Sequence, residues 1–369
     1  MAISTTVTPQ GSVRMGIKGE TTFGTALDAS GADSTAYRQL PVVTATKPTF
    51  NVTRESRLLS GKGTMKDLAD TVQTRKNGTV TTPFEFIATP ELLLQHLILV
   101  GQDVTADGSD VYTVEFDGSS NGTSSGAAIS SGLPHSVNLA YDTGTSAAGI
   151  TIPGCVVSDL TIGADYGSNG GFVTCSGNYF SGFAGAASVG ATGAYMERTY
   201  DGTWVEPDAG TFINMGDLTT KQLDVDSTSN TQDLILKSWS INIANGVVRV
   251  GSNSDGNAEA YAYPEYTVTG SVVVKYDSEV GLIAGANAVQ HFLDGTLASL
   301  LLKFGDGTLS SVGEANIQMN IQYTGDPAQD IGEGGIFHNL SFEGVSTGTG
   351  DNSEAFEIQV FNGESQSSW

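Results

Sequence analysis

The side chains that could do chemistry are few and poorly spaced for it. Four histidines, His96, His135, His291 and His338, could ligate a metal or move protons, but none stands in a His-x-x-x-His spacing. Cys155 and Cys175 form no Cys-x-x-Cys pair. Gly61-Lys62-Gly63-Thr64 has the residue types of a phosphate-binding loop without its spacing, so it reads as a flexible basic loop. Asp224-Val225-Asp226-Ser227-Thr228-Ser229-Asn230 begins like a calcium loop. It lacks the sixth-position glycine and the closing glutamate, which leaves a solvated linker. No Gly-x-Ser-x-Gly nucleophile turn occurs. Carboxylate pairs are common in a chain with 40 Asp plus Glu and single out no site. The expectation is a protein that is not an enzyme, with no metal and no cofactor.

Charge narrows the remaining classes. The 369 residues carry a net charge of -24 with only 16 Lys plus Arg. A nucleic-acid binder needs a basic footprint to displace counterions, and this chain has the opposite. The basic residues cluster before Asn77, at Arg54, Arg57, Lys62, Lys66, Arg75 and Lys76. Between Asn77 and Glu197 there is no Lys or Arg, and none follows Lys303. This asymmetry suits either a solvated loop or a cationic segment that meets an anionic surface, such as a neighbouring copy of the chain. Two cysteines are too few for a disulfide framework and are expected as buried free thiols. Met1-Ala2-Ile3-Ser4-Thr5-Thr6 has no apolar signal region, and no window approaches the roughly 20 apolar residues of a membrane span. A soluble product made in a cytoplasm is the reading.

Positioning falls to strands and one clear helix. The 47 glycines, many hydroxyl residues and short alternating runs suit a mainly β chain. Thr79 to Ile87 alternates and leads straight into a helix. Thr89 is a good N-cap, Pro90 fits the first helical position, and Glu91 favours the positive helix start. Leu93, Leu97 and Val100, with Leu94 and Ile98, form a wide apolar stripe that needs a sheet to lie on. Glu265 to Asp277 echoes the strand with a second Thr-Val-Thr, and Gln290-His291-Phe292 echoes Gln95-His96-Leu97. Repeats of this kind set architecture. Leu93, His96 and Leu97 on one helix, and Val289, His291 and Phe292 on the other, are the expected helix–sheet packing residues. Histidines at matching repeat positions are structural in this reading.

In chain order, residues 1–45 read as an N-terminal arm. Thr44 to Thr53 is a strand, followed by a long basic loop, 54–76. Strands are expected at Val111–Phe116, Ser136–Ala140, Cys155–Ala164 and Gly171–Phe180, with Ser119 to Gly132 an exposed tract. Residues 181 to about 230 read as a crossing segment. Leu234 to Val250 opens the second domain, with Leu236, Trp239, Ile241 and Ile243 alternating apolar before the turn Asn245-Gly246; Leu297–Phe304, Ile317–Tyr323, Phe337–Phe342 and Glu354–Phe361 are further strands. Val157–Ile162 resembles Phe337–Phe342. The shared order points to one β-sandwich-plus-helix unit occurring twice; the alternative is two unrelated β domains sharing a generic pattern.

Met15-Gly16-Ile17-Lys18-Gly19-Glu20-Thr21-Thr22-Phe23-Gly24-Thr25-Ala26 resembles the N-terminal run of the tail tube (major tail) proteins of long-tailed bacteriophages, with Phe23 in place of a common tyrosine. The basic loop, helix and two repeats follow in a similar order over most of the chain. The resemblance implies a virion tail protein, made in the host cytoplasm. It implies two tandem tube-type β-sandwich domains, 46–215 and 216–369, each with a short flanking helix, contributing strands to an intersubunit β-barrel. Rings would stack into an acidic channel through which DNA passes without specific binding. Three copies would make a pseudo-hexameric ring, with six-copy rings second, and other tail proteins are further partners. Arg54, Arg57, Lys62, Lys66, Arg75 and Lys76 are the expected inter-ring contacts. The rival readings are another virion ring protein (tail terminator, baseplate or capsid decoration protein), a non-viral cell-surface β-repeat protein, and a glycan-active enzyme on a β-sandwich.

Overall fold

A computed structural model of the chain describes residues 13–20, 23–24, 37–42, 45–58, 71–101, 103–106, 111–116, 136–142, 149–183, 196–198, 204–206, 212–224, 231–233, 235–252, 257–264, 266–275, 292–306, 308–311, 313–325, 328–332, 335–346 and 355–361. They are mostly β-strand. The first half holds β1 (Arg14–Gly19), β2 (Tyr37–Gln39), β3 (Thr49–Leu58), β4 (Thr71–Ile87), helix α1 (Pro90–Leu99), β5 (Asp103–Ala106), β6 (Val111–Phe116), β7 (Val137–Asp142), β8 (Gly149–Asp165), β9 (Thr174–Ser181), β10 (Met196–Arg198) and β11 (Trp204–Val205). The second half holds β12 (Leu218–Asp224), β13 (Thr231–Asp233), β14 (Leu236–Ala244), β15 (Val248–Val250), β16 (Ala260–Ala262), β17 (Thr267–Lys275), β18 (Leu297–Phe304), β19 (Ala315–Tyr323), β20 (Ala328–Gly332), β21 (Gly335–Gly344) and β22 (Phe356–Phe361).

Alternation explains which face each strand buries. On β14, Trp239, Ile241 and Ile243 are buried while Ser240 and Asn242 are half-exposed, the period-2 pattern of a strand with one wet face. A central antiparallel sheet runs in the order β3-β4-β9-β8-β14-β17-β21-β20. A second array in the first half runs β11-β2-β1-β7-β8 and continues to β10. Its counterpart in the second half runs β13-β12-β18-β19-β22 and continues through β6 to β5.

The strand β8 belongs to both layers. Its start pairs with β7 and β10, and from Val156 onward it pairs with β9, with a register shift between Val157 and Asp159. Such an irregularity lets one strand bend from one sheet into another. In the second half β19 and β20 divide the same task. β19 pairs with β18 and β22, and its end together with β20 pairs with β21. The pairing scheme of the first half therefore recurs: β1, β3, β4, β7, β9 and β10 stand where β12, β14, β17, β18, β21 and β22 stand.

Several expectations change. Within the segment read as an arm, β1 pairs along the length of β7, and its Met15 and Ile17 are fully buried. A six-residue strand with a central glycine shows no alternation long enough to detect, and its partner lies far along the chain. Residues 54–58 and 71–76, read as loop, are the paired ends of β3 and β4, with Arg54 opposite Lys76 and Glu55 opposite Arg75. The counterpart of β8 is β19 with β20, so the likeness of Val157–Ile162 to Phe337–Phe342 matched strands that hold different places. One buried alternating strand resembles another. The crossing segment contributes β10, β11 and β12. Strand pairing also joins the two halves, through β8–β14 and β6–β22.

Helix α1 starts as expected, with Thr89 Oγ1 accepting from Leu92 N at 3.3 Å and Pro90 in the first turn. Arg38 on β2 pairs with Glu91 in that turn. Every helix residue except Glu91 is buried, because β8 lies on one side and β6 and β22 lie against it as well. The expected stripe is in fact a helix covered all round. One continuous apolar core joins both halves.

Candidate assembly surfaces

Among the described residues two edges of the central sheet stand open: β3 pairs only with β4, and β20 pairs only with β21. Open edges present unpaired N–H and C=O groups that recruit another strand. Inside the chain the equivalent edges are already joined: β8 pairs with β14 over seven residue pairs, from Ser238 opposite Asp165 to Ala244 opposite Asp159. Across this seam Asn242 Nδ2 donates to Thr161 Oγ1 at 2.8 Å. Gly163 permits the close approach, since a Cβ there would stand 2.6 Å from the Trp239 carbonyl oxygen. Asn245, fully buried, locks the seam's end. Its Nδ2 donates to Val100 O at 2.8 Å and Val157 O at 2.7 Å, and its Oδ1 accepts from Val247 N at 3.1 Å.

The wet face of the central sheet is lined by hydroxyls and amides, among them Thr81, Ser176, Thr161, Ser240, Asn242 and Ser271. Its charged groups include Glu85, Asp159, Asp165 and Glu343, against Lys275 and Lys237, whose Nζ lies 5.0 Å over the Phe337 ring. A hollow of about 260 Å³ on this face spans the seam between Thr161 and Ser240.

The Met15–Ala26 run explains itself around Glu20. Its carboxylate accepts from Ser136 Oγ at 2.5 Å, Gly154 N at 2.7 Å, Asn138 Nδ2 at 2.9 Å and Gly24 N at 3.0 Å. Burial raises the Glu20 pKa, with the hydrogen bonds from Ser136, Gly154 and Gly24 opposing. The carboxylate thus ties the end of β1 to β7 and β8. Gly24 has φ 71°, a conformation that favours glycine, and a Cβ there would collide with the Phe183 ring. The Phe23 ring meets Phe183 edge-on at 5.3 Å and Tyr261 at 5.0 Å. Tyr261, on β16 of the second half, donates to Gly154 O at 2.6 Å and accepts from Gly182 N at 2.8 Å. Arg249 on β15 donates to Gly78 O at 2.8 Å. The β15–β16 hairpin therefore docks the second half onto the first. Spacing alone did not mark Glu20, Tyr261 or Arg249 and marked Asn245 only as a turn residue; the resemblance contained Glu20 and Phe23 without giving their contacts.

The expected helix–sheet residues divide. Leu93, His96 and Leu97 are buried. His96 Nδ1 lies 2.6 Å from Leu92 O, a pure acceptor, so Nδ1 carries the proton. Nε2 then accepts from the Tyr179 hydroxyl at 2.5 Å. Burial lowers the His96 pKa to about 4, with the Leu92 hydrogen bond opposing. Phe86 and Phe84 pack on the imidazole at 4.5 and 5.1 Å. In the second half Phe292 is partly buried against the core, while Val289 and His291 lie outside the described residues. Of the basic set, Arg54, Arg57, Arg75 and Lys76 sit on the β3–β4 hairpin, and Lys62 and Lys66 lie outside the described residues.

Cys155 and Cys175 are buried free thiols, as the cysteine arithmetic expected, and burial pushes both pKa values up. Among the described residues no group of three His, Cys, Asp or Glu is placed to hold a metal ion, and no helix is long and apolar enough to cross a membrane. No curated protein matches the chain. A family model described as phage tail tube protein matches residues 12–344.

Proposed function

Since the chain belongs to the phage tail tube protein family, a structural component of the virion tail that assembles into a tube with other tail proteins, we propose that it builds that tube from closed rings. Two tube domains of sandwich type, dividing near residue 215, each supply four strands of the central sheet: β3-β4-β9-β8 and β14-β17-β21-β20. Three copies close a pseudo-hexameric barrel around a channel, and rings stack on one another.

The observation that carries this reading is the recurrence of one pairing scheme, with the two units joined at β8–β14 and an unused copy of each joining edge at the ends. A self-contained protein gains nothing from two open edges; a ring uses both. The bore is the wet hydroxyl and amide face, where carboxylates outnumber amines. Such a wall offers duplex phosphates few cations to bind and a mild repulsion, which suits passage without retention. Basic residues of the β3–β4 hairpin meet the acidic surface of the adjacent ring, giving salt-sensitive stacking. The role is structural, without catalysis, and the protein is made in the host cytoplasm.

Negative-stain microscopy of the purified chain tests this. Open-ended tubes are expected, which closed-ring virion parts such as terminators do not form. Changing Arg54, Arg57, Lys62 and Lys66 to Glu is expected to leave a folded protomer that no longer polymerises; normal tubes from that variant would refute the stacking role.

A further inference from the structure

Building on the ring reading above, we infer that neighbouring copies join in one fixed register, with residues 45–49 of one copy antiparallel to 328–332 of the next, Thr49 opposite Ala328 and Lys47 opposite Asp330. The occupant of the open β20 edge is thus the run leading into β3, residues 45–49, of a second copy of this chain.

The register follows from the seam the chain already contains. The Thr-Val-Thr of β4 and that of β17 are equivalent, so Thr81 matches Thr269 and Glu85 matches Val273. On one side, Thr49 faces Thr81 while Asn242 faces Thr269. Thr49 therefore stands where Asn242 stands. On the other side, Glu85 faces Ser176 while Val273 faces Asn339. Ser176 in turn faces Thr161, and Asn339 faces Ala328. Ala328 therefore stands where Thr161 stands. Asn242 faces Thr161 across the internal seam, so Thr49 faces Ala328 across the external one.

Extending the register two residues before the start of β3 on one side and two along β20 on the other brings Lys47 opposite Asp330. The pairing places opposite charges directly across from each other. Such cross-strand pairs favour the register they belong to. A slip of one residue would turn every side chain to the other face, and a slip of two would set Lys47 against Ala328 or Gly332. Lys47 is exposed in the single chain, available to a partner.

Paired cysteines test the register in the full chain. Thr49→Cys with Ala328→Cys, oxidised after assembly, is expected to give covalent trimers on non-reducing gels. The unmodified chain should give none, because Cys155 and Cys175 are buried. The displaced pair Thr49→Cys with Asp330→Cys should stay unlinked. Linkage of the displaced pair instead, or assembled particles linked at neither, overturns the register while leaving the ring reading intact. A monomeric unmodified chain overturns both. Should the cysteine variants fold poorly, charge exchange replaces them: Lys47→Asp alone should reduce the assembled fraction several-fold, and adding Asp330→Lys should restore it. No restoration overturns the pairing.

Discussion

At the middle of the first half, Phe84 and Tyr179 lie 4.5 Å apart, and with Phe86 they close on His96. At the equivalent positions of the second half stand Val272, Val274 and Phe342, all buried. The strands pair alike in both, so the pairing scheme depends on alternate positions being apolar and not on which apolar residue fills them. Volume is conserved differently. The Phe342 ring lies over Gly270, where an added Cβ would come within 2.6 Å of it, whereas the first half has Thr82 there and Gly177 two residues before Tyr179. The halves also differ in polar content: the first has a histidine hooked to a tyrosine hydroxyl, and the second has a phenylalanine with no hydroxyl to offer.

The largest expected effect comes from removing the ring that the second half lacks. Phe86→Ala should cost about 3–5 kcal/mol by urea unfolding, the range for a buried aromatic lost to a cavity. Val274→Ala, its equivalent, should cost roughly 2 kcal/mol. Equal losses would mean that the two cores are packed alike after all.

Acid should separate the halves next. His96 is held neutral, with its folded pKa near 4 and an unfolded value near 6.5. The unfolded chain takes up the proton first, so stability is full above about pH 6.5 and falls as pH drops toward about 4. The loss is roughly 3 kcal/mol, at about 1.4 kcal/mol per pKa unit. Glu20, with a raised pKa, works in the opposite direction and becomes more favourable to the fold as pH falls. His96→Gln should flatten the slope between pH 6.5 and 4; an unchanged slope would place the acid sensitivity elsewhere.

The smallest effect is the hook itself. Tyr179→Phe makes the first half resemble the second and should cost about 1–3 kcal/mol, the range for a buried acceptor that loses its donor. It leaves His96 Nε2 without its donor. The reverse change, Phe342→Tyr, should cost about 1–3 kcal/mol by burying an unmatched hydroxyl. If that variant is unaffected, a polar partner stands near Phe342 too.

Much of this was legible in residues that act locally. The Thr89 cap, Pro90 and the leucine run defined α1 to within a residue, and alternation located β6, β14 and β22. The Met15–Ala26 run indicated the family. The rest depended on partners distant in sequence. β1 became visible only through β7, and the basic hairpin only through the β3–β4 register. Glu20 looked like one of 40 carboxylates until Ser136, Asn138 and Gly154 converged on it. The mistaken match of Val157–Ile162 with Phe337–Phe342 has the same cause. Periodicity reports which face of a strand is buried; its neighbours are set by contacts that local sequence does not encode.

Cryo-electron microscopy of tubes assembled from the purified chain tests the central claim most directly. Three chains per ring, six similar lobes in cross-section, and the run leading into β3 (residues 45–49) of each chain beside β20 of the next are the predicted result. Six chains per ring, or a monomer whose two sheet edges are covered by its own residues, would contradict it.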